Sequence, residues 1–196
     1  GKEIGFAPCR DSLLICGARG AGKSTICEQL LQQLLAQSYQ CCVIEAEMSS
    51  AQSVRSGVTA FGEPHEAPRL TDALNALEQP STSVSINLAA LAVETRPIFA
   101  EALILQLQAL HDRVGRPHCI LINQAHSFVT REAASSTPRL SEITMIYATS
   151  EPQLLPTQVV RSVRLIVAAG DPVDAPFPLS GELRELAVEP AQATTA

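Results

Sequence analysis

The sequence has no Trp, two Tyr and five Phe, too few aromatic rings to make platforms on which the bases of a single strand could stack. Lys is nearly absent and the formal net charge is −6. Contact with nucleic-acid phosphates needs clustered Lys and Arg, so net electrostatics argue against such a partner unless a local Arg patch or a ring assembly supplies the charge. No apolar run approaches the roughly 18 residues of a membrane-spanning helix. No basic segment followed by an apolar stretch opens the chain, so no secretory leader is expected and the cytoplasm is the expected compartment. The initiator Met is missing as well, which points to a fragment or a processed chain. The six cysteines, Cys9, Cys16, Cys27, Cys41, Cys42 and Cys119, form neither the framework of a small disulfide-stapled domain nor a C-x-x-C pair with zinc spacing. They read as reduced thiols, with Cys16 and Cys119 inside apolar runs where a free thiol behaves as a small hydrophobe.

What is present is a chain of 196 residues with 46% hydrophobic content, enough for one α/β domain with a buried sheet. Apolar runs alternate with helical patterns, the signature of βαβ units and a mostly parallel sheet. Ser12 to Cys16 reads as a buried strand running into a glycine-rich loop, after which Ile26, Leu30, Leu31, Leu34 and Leu35 recur at helical spacing. Cys41 to Glu45 is a second strand. From Met48 to Arg69 periodicity is lost among Gly57, Gly62, Pro64 and Pro68, so a loop with at most a short helical turn is expected. Thr71 to Glu78 reads as a short helix capped by Thr71, and Val84 to Leu88 as a strand. Thr95 can cap a long helix with Pro97 in its first turn, whose stripe Phe99, Leu103, Leu107, Leu110 and Val114 faces the sheet. Cys119 to Ile122, Ile143 to Ala148 and Val163 to Val167 complete the strands. Residues 1–172 are expected to form the domain, and 173–196 a proline-rich extension with one helical turn at Glu182 to Leu186 and a polar, disordered tail.

The chemistry sits in the loop. Gly17-Ala18-Arg19-Gly20-Ala21-Gly22-Lys23-Ser24 matches G-x-x-x-x-G-K-[ST] between a buried strand and an amphipathic helix, the context the motif needs. Its glycines let successive backbone N–H groups curl around phosphates, and the helix N-terminus adds partial positive charge. Lys23 is placed to reach the β/γ oxygens, the Ser24 hydroxyl to bind Mg²⁺, and Thr25 follows at the nucleotide. A P-loop ATPase also needs an apolar strand ending in an acid that holds Mg²⁺ through its water shell, often followed by a Glu that activates the attacking water. Here that strand ends in Asn123 and Gln124. Asn123 can hydrogen-bond a metal-bound water but brings no charge, and Gln124 cannot accept a proton. Alternatively this strand is only structural. Thr149, at the end of a later strand, is a candidate γ-phosphate sensor or simply the start of a turn. Glu45 and Glu47 lie at the carboxyl edge where open α/β sheets bind ligands, as a substitute base or as solvated loop acids. Arg161 and Arg164 could serve a neighbouring subunit or be ordinary surface residues, and His126 reads as a packing or capping residue.

The order GARGAGKST, CCVIEAE, VSINLAAL before a long helix, GRPHCILINQAHSF and YATSEPQLLPTQVVRSVRLIVAAGDP resembles the HerA/FtsK-like P-loop ATPases, and most of all the ATPase domain attached to haloacid-dehalogenase-type phosphatases in bacteria. The likeness runs from about Ile4 to Pro172. It implies a three-layer, RecA-like and AAA-like α/β fold, Mg-ATP binding, often ring assembly, and an acidic pair at the positions of Asn123 and Gln124. The chain departs from the pattern there, at Glu45, where relatives carry Asp, and at Met48-Ser49-Ser50, which replaces a glycine-and-acid turn. Phosphatase activity is not implied, because no D-x-D motif is present. Two functions compete: an ATP-binding module without hydrolysis, and a slow or partner-assisted ATPase. A small-molecule kinase is weaker, since residues 48–70 offer only Arg55 and Arg69.

Overall fold

The computed structural model describes residues 8–9, 11–46, 55–129 and 142–170, and the backbone of 184–188. Strands β1 (Leu13–Cys16), β2 (Cys41–Glu45), β3 (Val58–Phe61), β4 (Ser83–Asn87), β5 (Cys119–Asn123), β6 (Thr144–Thr149), β7 (Leu165–Ala169) and β8 (Arg184–Val188) form one sheet in the order β3-β4-β2-β5-β6-β1-β7-β8. Every pairing between neighbouring strands is parallel. The interior strands β1, β2 and β4 are buried at every position, as strands covered on both faces must be, so their sequences are apolar runs without alternation.

Two cores lie on the two faces. On one, α1 (Lys23–Ala36) packs Cys27, Leu31 and Leu34 against Leu13, Ile15, Val43, Leu121 and Ile146. On the other, α2 (Leu70–Leu77), α3 (Arg96–Val114) and α4 (Thr157–Ser162) cover Leu14, Ile44, Ile86, Ile122 and Tyr147. The three-layer, RecA-like α/β arrangement read from the chain is therefore the fold. It places the carboxyl ends of β1, β5 and β6 side by side, with Cys16 level with Thr149 and Asn123 level with Ala148. That edge carries the site.

Several elements differ from the sequence reading. The stretch read as a loop from Met48 contains β3, a four-residue edge strand with two exposed positions. Its pairing on one side only, and the exposed Thr59 and Ala60 between Val58 and Phe61, leave no alternating apolar signal. Arg184–Val188, within the segment read as an extension, is a strand parallel to β7 and not a helical turn; Leu183 and Leu186 are three apart, but Leu186 and Val188 alternate, and the open edge of β7 decides between the patterns. Helix α2 begins one residue early, at Leu70, and the Thr71 hydroxyl bonds Asp72 and caps nothing. Thr95 does sit at the start of α3, but its hydroxyl donates to the Ala92 carbonyl and accepts no helix N–H as a cap would. On α3, Leu103, Leu107 and Leu110 are buried as expected, while Val114 is exposed and Ala100 takes a core place. Strands β6 and β7 begin one and two residues later than read. None of the six cysteines is in a disulfide, and all but Cys9 are buried.

Candidate functional site

The loop leaves β1 at Cys16 and enters α1 at Lys23. Gly17 is required there by close approach: a Cβ would collide with the Ala169 carbonyl oxygen of β7. Gly22 has φ 90° and caps α1 in the left-handed region, where a side chain is strained. The Ile26 N–H bonds back to the Gly22 carbonyl, so the N–H groups of Lys23, Ser24 and Thr25 precede the helix's own ladder and face outward as an anion site. Ala18, Arg19, Gly20, Ser24 and Thr25 are exposed, while Ala21 is half-buried. Lys23 folds back over the loop, its Nζ donating at 2.8 Å to the carbonyls of both Gly17 and Ala18. Burial lowers its pKa from the ordinary value, and the two carbonyls hold the ammonium over the loop, where phosphate oxygens could take their place.

Asn123 closes β5 with its Oδ1 accepting the Gln124 N–H at 3.2 Å. Gln124 then adopts φ 54° and ψ 47°, turning the chain into a 3₁₀ turn at Ala125–Ser127. A non-glycine residue in that region stores strain of the kind found at working sites. Thr149 points to the sheet face opposite α1, the face of Tyr147 two residues before it. Its hydroxyl accepts the Glu151 N–H at 3.0 Å and bonds His126 Nδ1 at 2.8 Å, while His126 Nε2 lies 3.5 Å from Glu151 Oε1. The structure thus joins Thr149 to the following turn and to His126. Arg164 reaches Asp11 at 3.5 Å, and its backbone N–H bonds the Ser12 carbonyl at the amino end of β1. Arg164 therefore sits at the amino end of the sheet, away from the P-loop, and Arg161 lies in the last turn of α4. Glu47 and Met48-Ser49-Ser50 lie outside the described residues.

A cavity of about 250 Å³ opens beside the loop, between α1 and the sheet, and Ser24, Asn123, Glu28, Glu45 and Arg55 line it together. The sequence reading did not single out the network inside it. Arg55 pairs both oxygens of Glu45 at 3.2 Å and bonds Glu28 at 2.8 Å, and Ser85 Oγ donates to Glu45 at 3.1 Å. Burial works against the Arg55 charge, but Glu45 and then Glu28 outweigh it and raise its pKa. Glu45 is 1% exposed, so this partner is what permits a carboxylate at that depth. No sequence signal could have paired them, because periodicity reports faces of one element and these residues meet from four segments of the chain.

A Walker loop between a buried central strand and a helix, at the carboxyl edge of a parallel sheet, defines a P-loop NTPase. The chain belongs to the AAA domain family, whose profile matches residues 10–158. No curated protein matches it in sequence. In fold it is similar to the genome packaging NTPase B204 from Sulfolobus turreted icosahedral virus 2, solved in complex with ATP-gammaS, at 16% identity and TM-score 0.58 over 85% of this chain and 79% of that one. It is also similar to B204, the DNA-packaging ATPase from Sulfolobus Turreted Icosahedral Virus (19% identity, TM-score 0.57, 83% and 78% covered). A third likeness is to the flagellar accessory protein FlaH from Methanocaldococcus jannaschii (13% identity, TM-score 0.50, 82% and 71% covered). At these identities the likeness speaks to fold alone.

Proposed function

We propose that the domain binds ATP with Mg²⁺ through Gly17 to Thr25 and hydrolyses it weakly or not at all. The observation that carries this reading is the loop itself: outward N–H groups at the start of α1, with Lys23 folded over the Gly17 and Ala18 carbonyls. Ser24 and Asn123 share the cavity beside it, an oxygen donor set that suits a hard, hydrated Mg²⁺. When bound, the ion would neutralise phosphate charge; Ser24 would ligate it and Asn123 would accept a hydrogen bond from its water. Gln124 can orient water but take no proton, and that is the reason for weak hydrolysis. Glu47 is the candidate to supply a base, and Thr149 the candidate to report the γ-phosphate through His126.

The residue pattern supports a HerA/FtsK-type placement, possible homo-oligomers and an attached phosphatase domain in a cytoplasmic protein; the net charge of −6 supports a partner other than nucleic acid. A second reading, an active or partner-assisted ATPase, is favoured by one observation, the Glu45 carboxylate in the same cavity as Ser24. The kinase reading needs an Arg free for an acceptor, and Arg55 is engaged by two carboxylates.

Lys23→Ala tests the reading, because it removes a charge aimed at phosphate and no core contact. Calorimetry should show ATP binding abolished while circular dichroism is unchanged. Equal affinity in the two proteins rules the P-loop assignment out.

A further inference from the structure

We infer that the negative charge missing from the end of β5 is supplied from the next strand, by Glu45, and that Arg55 is the positioning residue that holds this buried carboxylate in the cavity it shares with Ser24. This rests on the ATP-binding reading above and deepens it.

The argument starts from register. In the parallel pairing of β2 and β5, Ile44 stands opposite Ile122, so Glu45 and Asn123 are the next pair along. Both belong to the face of Val43 and Leu121, which pack against α1. Neighbouring strands lie about 4.8 Å apart. Glu45 is therefore displaced sideways by one strand from the place where Asn123 has lost its acid, on the same face and at the same level. Both residues and Ser24 border one cavity.

That offset suits outer-shell contact. Mg²⁺ holds its waters at about 2.1 Å, and a water donates to a carboxylate over about 2.7 Å, so an acid acts on the ion without touching it. Charge points the same way. Glu45 and Glu28 together carry two negative charges and Arg55 one positive, leaving the group at −1, the charge an Asp in place of Asn123 would bring. Arg55 makes this possible at depth: its guanidinium pairs both oxygens of a carboxylate that is 1% exposed and fixes its plane. Ser85 fixes it from the other side.

The test is ATP affinity by calorimetry with Mg²⁺ and with EDTA, in wild type, E45Q and N123D/E45Q. In wild type Mg²⁺ should tighten ATP at least about tenfold, and E45Q should bring that ratio close to one, since loss of an outer-shell partner costs about 10–100-fold in metal affinity. Metal-free ATP affinity should not fall in E45Q, and this also reports that the variant is folded. N123D/E45Q should restore the ratio by returning the acid to β5. Where E45Q proves unstable, E45Q/R55Q leaves no buried charge unpaired and takes the same measurement. An unchanged Mg²⁺ ratio in E45Q or in E45Q/R55Q overturns the inference, as does a wild-type ratio near one, with ATP binding left intact. Wild type that binds ATP in neither condition overturns the nucleotide reading and this inference with it.

Discussion

If β5 ends at the place of the usual acidic pair, as proposed, Asn123 and Gln124 would separate two jobs that such a pair shares. Asn123 keeps the geometry of an acceptor, as its bond to the Gln124 N–H shows, and lacks only charge. Gln124 sits in the left-handed region at the cost of about 1–3 kcal/mol of strain, with an amide that can hold water but not activate it. If Glu45 supplies the charge, the residue that limits hydrolysis is Gln124. Gln124→Glu should then raise single-turnover hydrolysis by up to about 10²–10⁴, the usual worth of a general base. Asn123→Asp alone should raise it far less, and the double variant should gain at least as much as Gln124→Glu, with ATP affinity changing less than rate. Rapid-quench measurements at saturating Mg-ATP separate these cases. No gain in the double variant means the amides are not the cause, and wild-type turnover at about 1 s⁻¹ or faster means weak hydrolysis is the wrong description.

Elements bring these residues together, and their junctions carry their own chemistry. β2 and β5 are laced at their amino ends, where the His118 N–H bonds the Gln40 carbonyl at 2.9 Å and His118 Nδ1 accepts the Gln40 N–H at 2.8 Å. Tyr39 stands edge-on to the His118 ring, 5.5 Å between centroids. Burial lowers the His118 pKa, with His111 and Arg116 adding to the effect, and a proton on Nδ1 would replace the acceptor with a donor. A group whose folded pKa is depressed contributes stability that is complete above its unfolded pKa, about 6.5, and is lost as pH falls through the folded value. Urea unfolding from pH 8 to pH 5 should therefore show wild type losing stability below about pH 6.5 more steeply than His118→Asn. Parallel curves for the two proteins contradict this role. The elements also show what a sequence discloses. The β1–loop–α1 unit was legible because an apolar run, a glycine pattern and helical spacing each arise within a few residues. β3 was not, since an edge strand has little burial to write into its residues, and neither was β8, whose state depends on the open edge of β7. The Arg55 cluster was invisible for the same reason, because its order comes from the packing of α1, β2 and the chain before β3.

For the whole molecule, the position of the loop decides how a ligand is felt. β1 lies between β6 and β7 near the centre of the sheet, and α1 covers that sheet with Cys27, Leu31 and Leu34. The loop joins the two, and Gly17 lies hard against Ala169 of β7. The phosphate cradle therefore exists only when β1, β7 and α1 are assembled, so a nucleotide held there binds the folded chain and not the unfolded one. Binding of that kind stabilises by mass action, about 2.7 kcal/mol at a ligand concentration of 100 times Kd. In a domain of this size each kcal/mol raises Tm by about 2–4 °C, so saturating ATP should raise it by about 5–10 °C. Thermal melts with ATP, ADP and no nucleotide, each with Mg²⁺ and with EDTA, measure this. The ATP shift should be larger with Mg²⁺ than with EDTA if the Glu45 carboxylate completes the cation site, and Lys23→Ala should show none. An ATP shift that survives in Lys23→Ala would place the nucleotide elsewhere than on this loop, and a Tm unmoved by ATP in wild type would leave the cradle without its ligand.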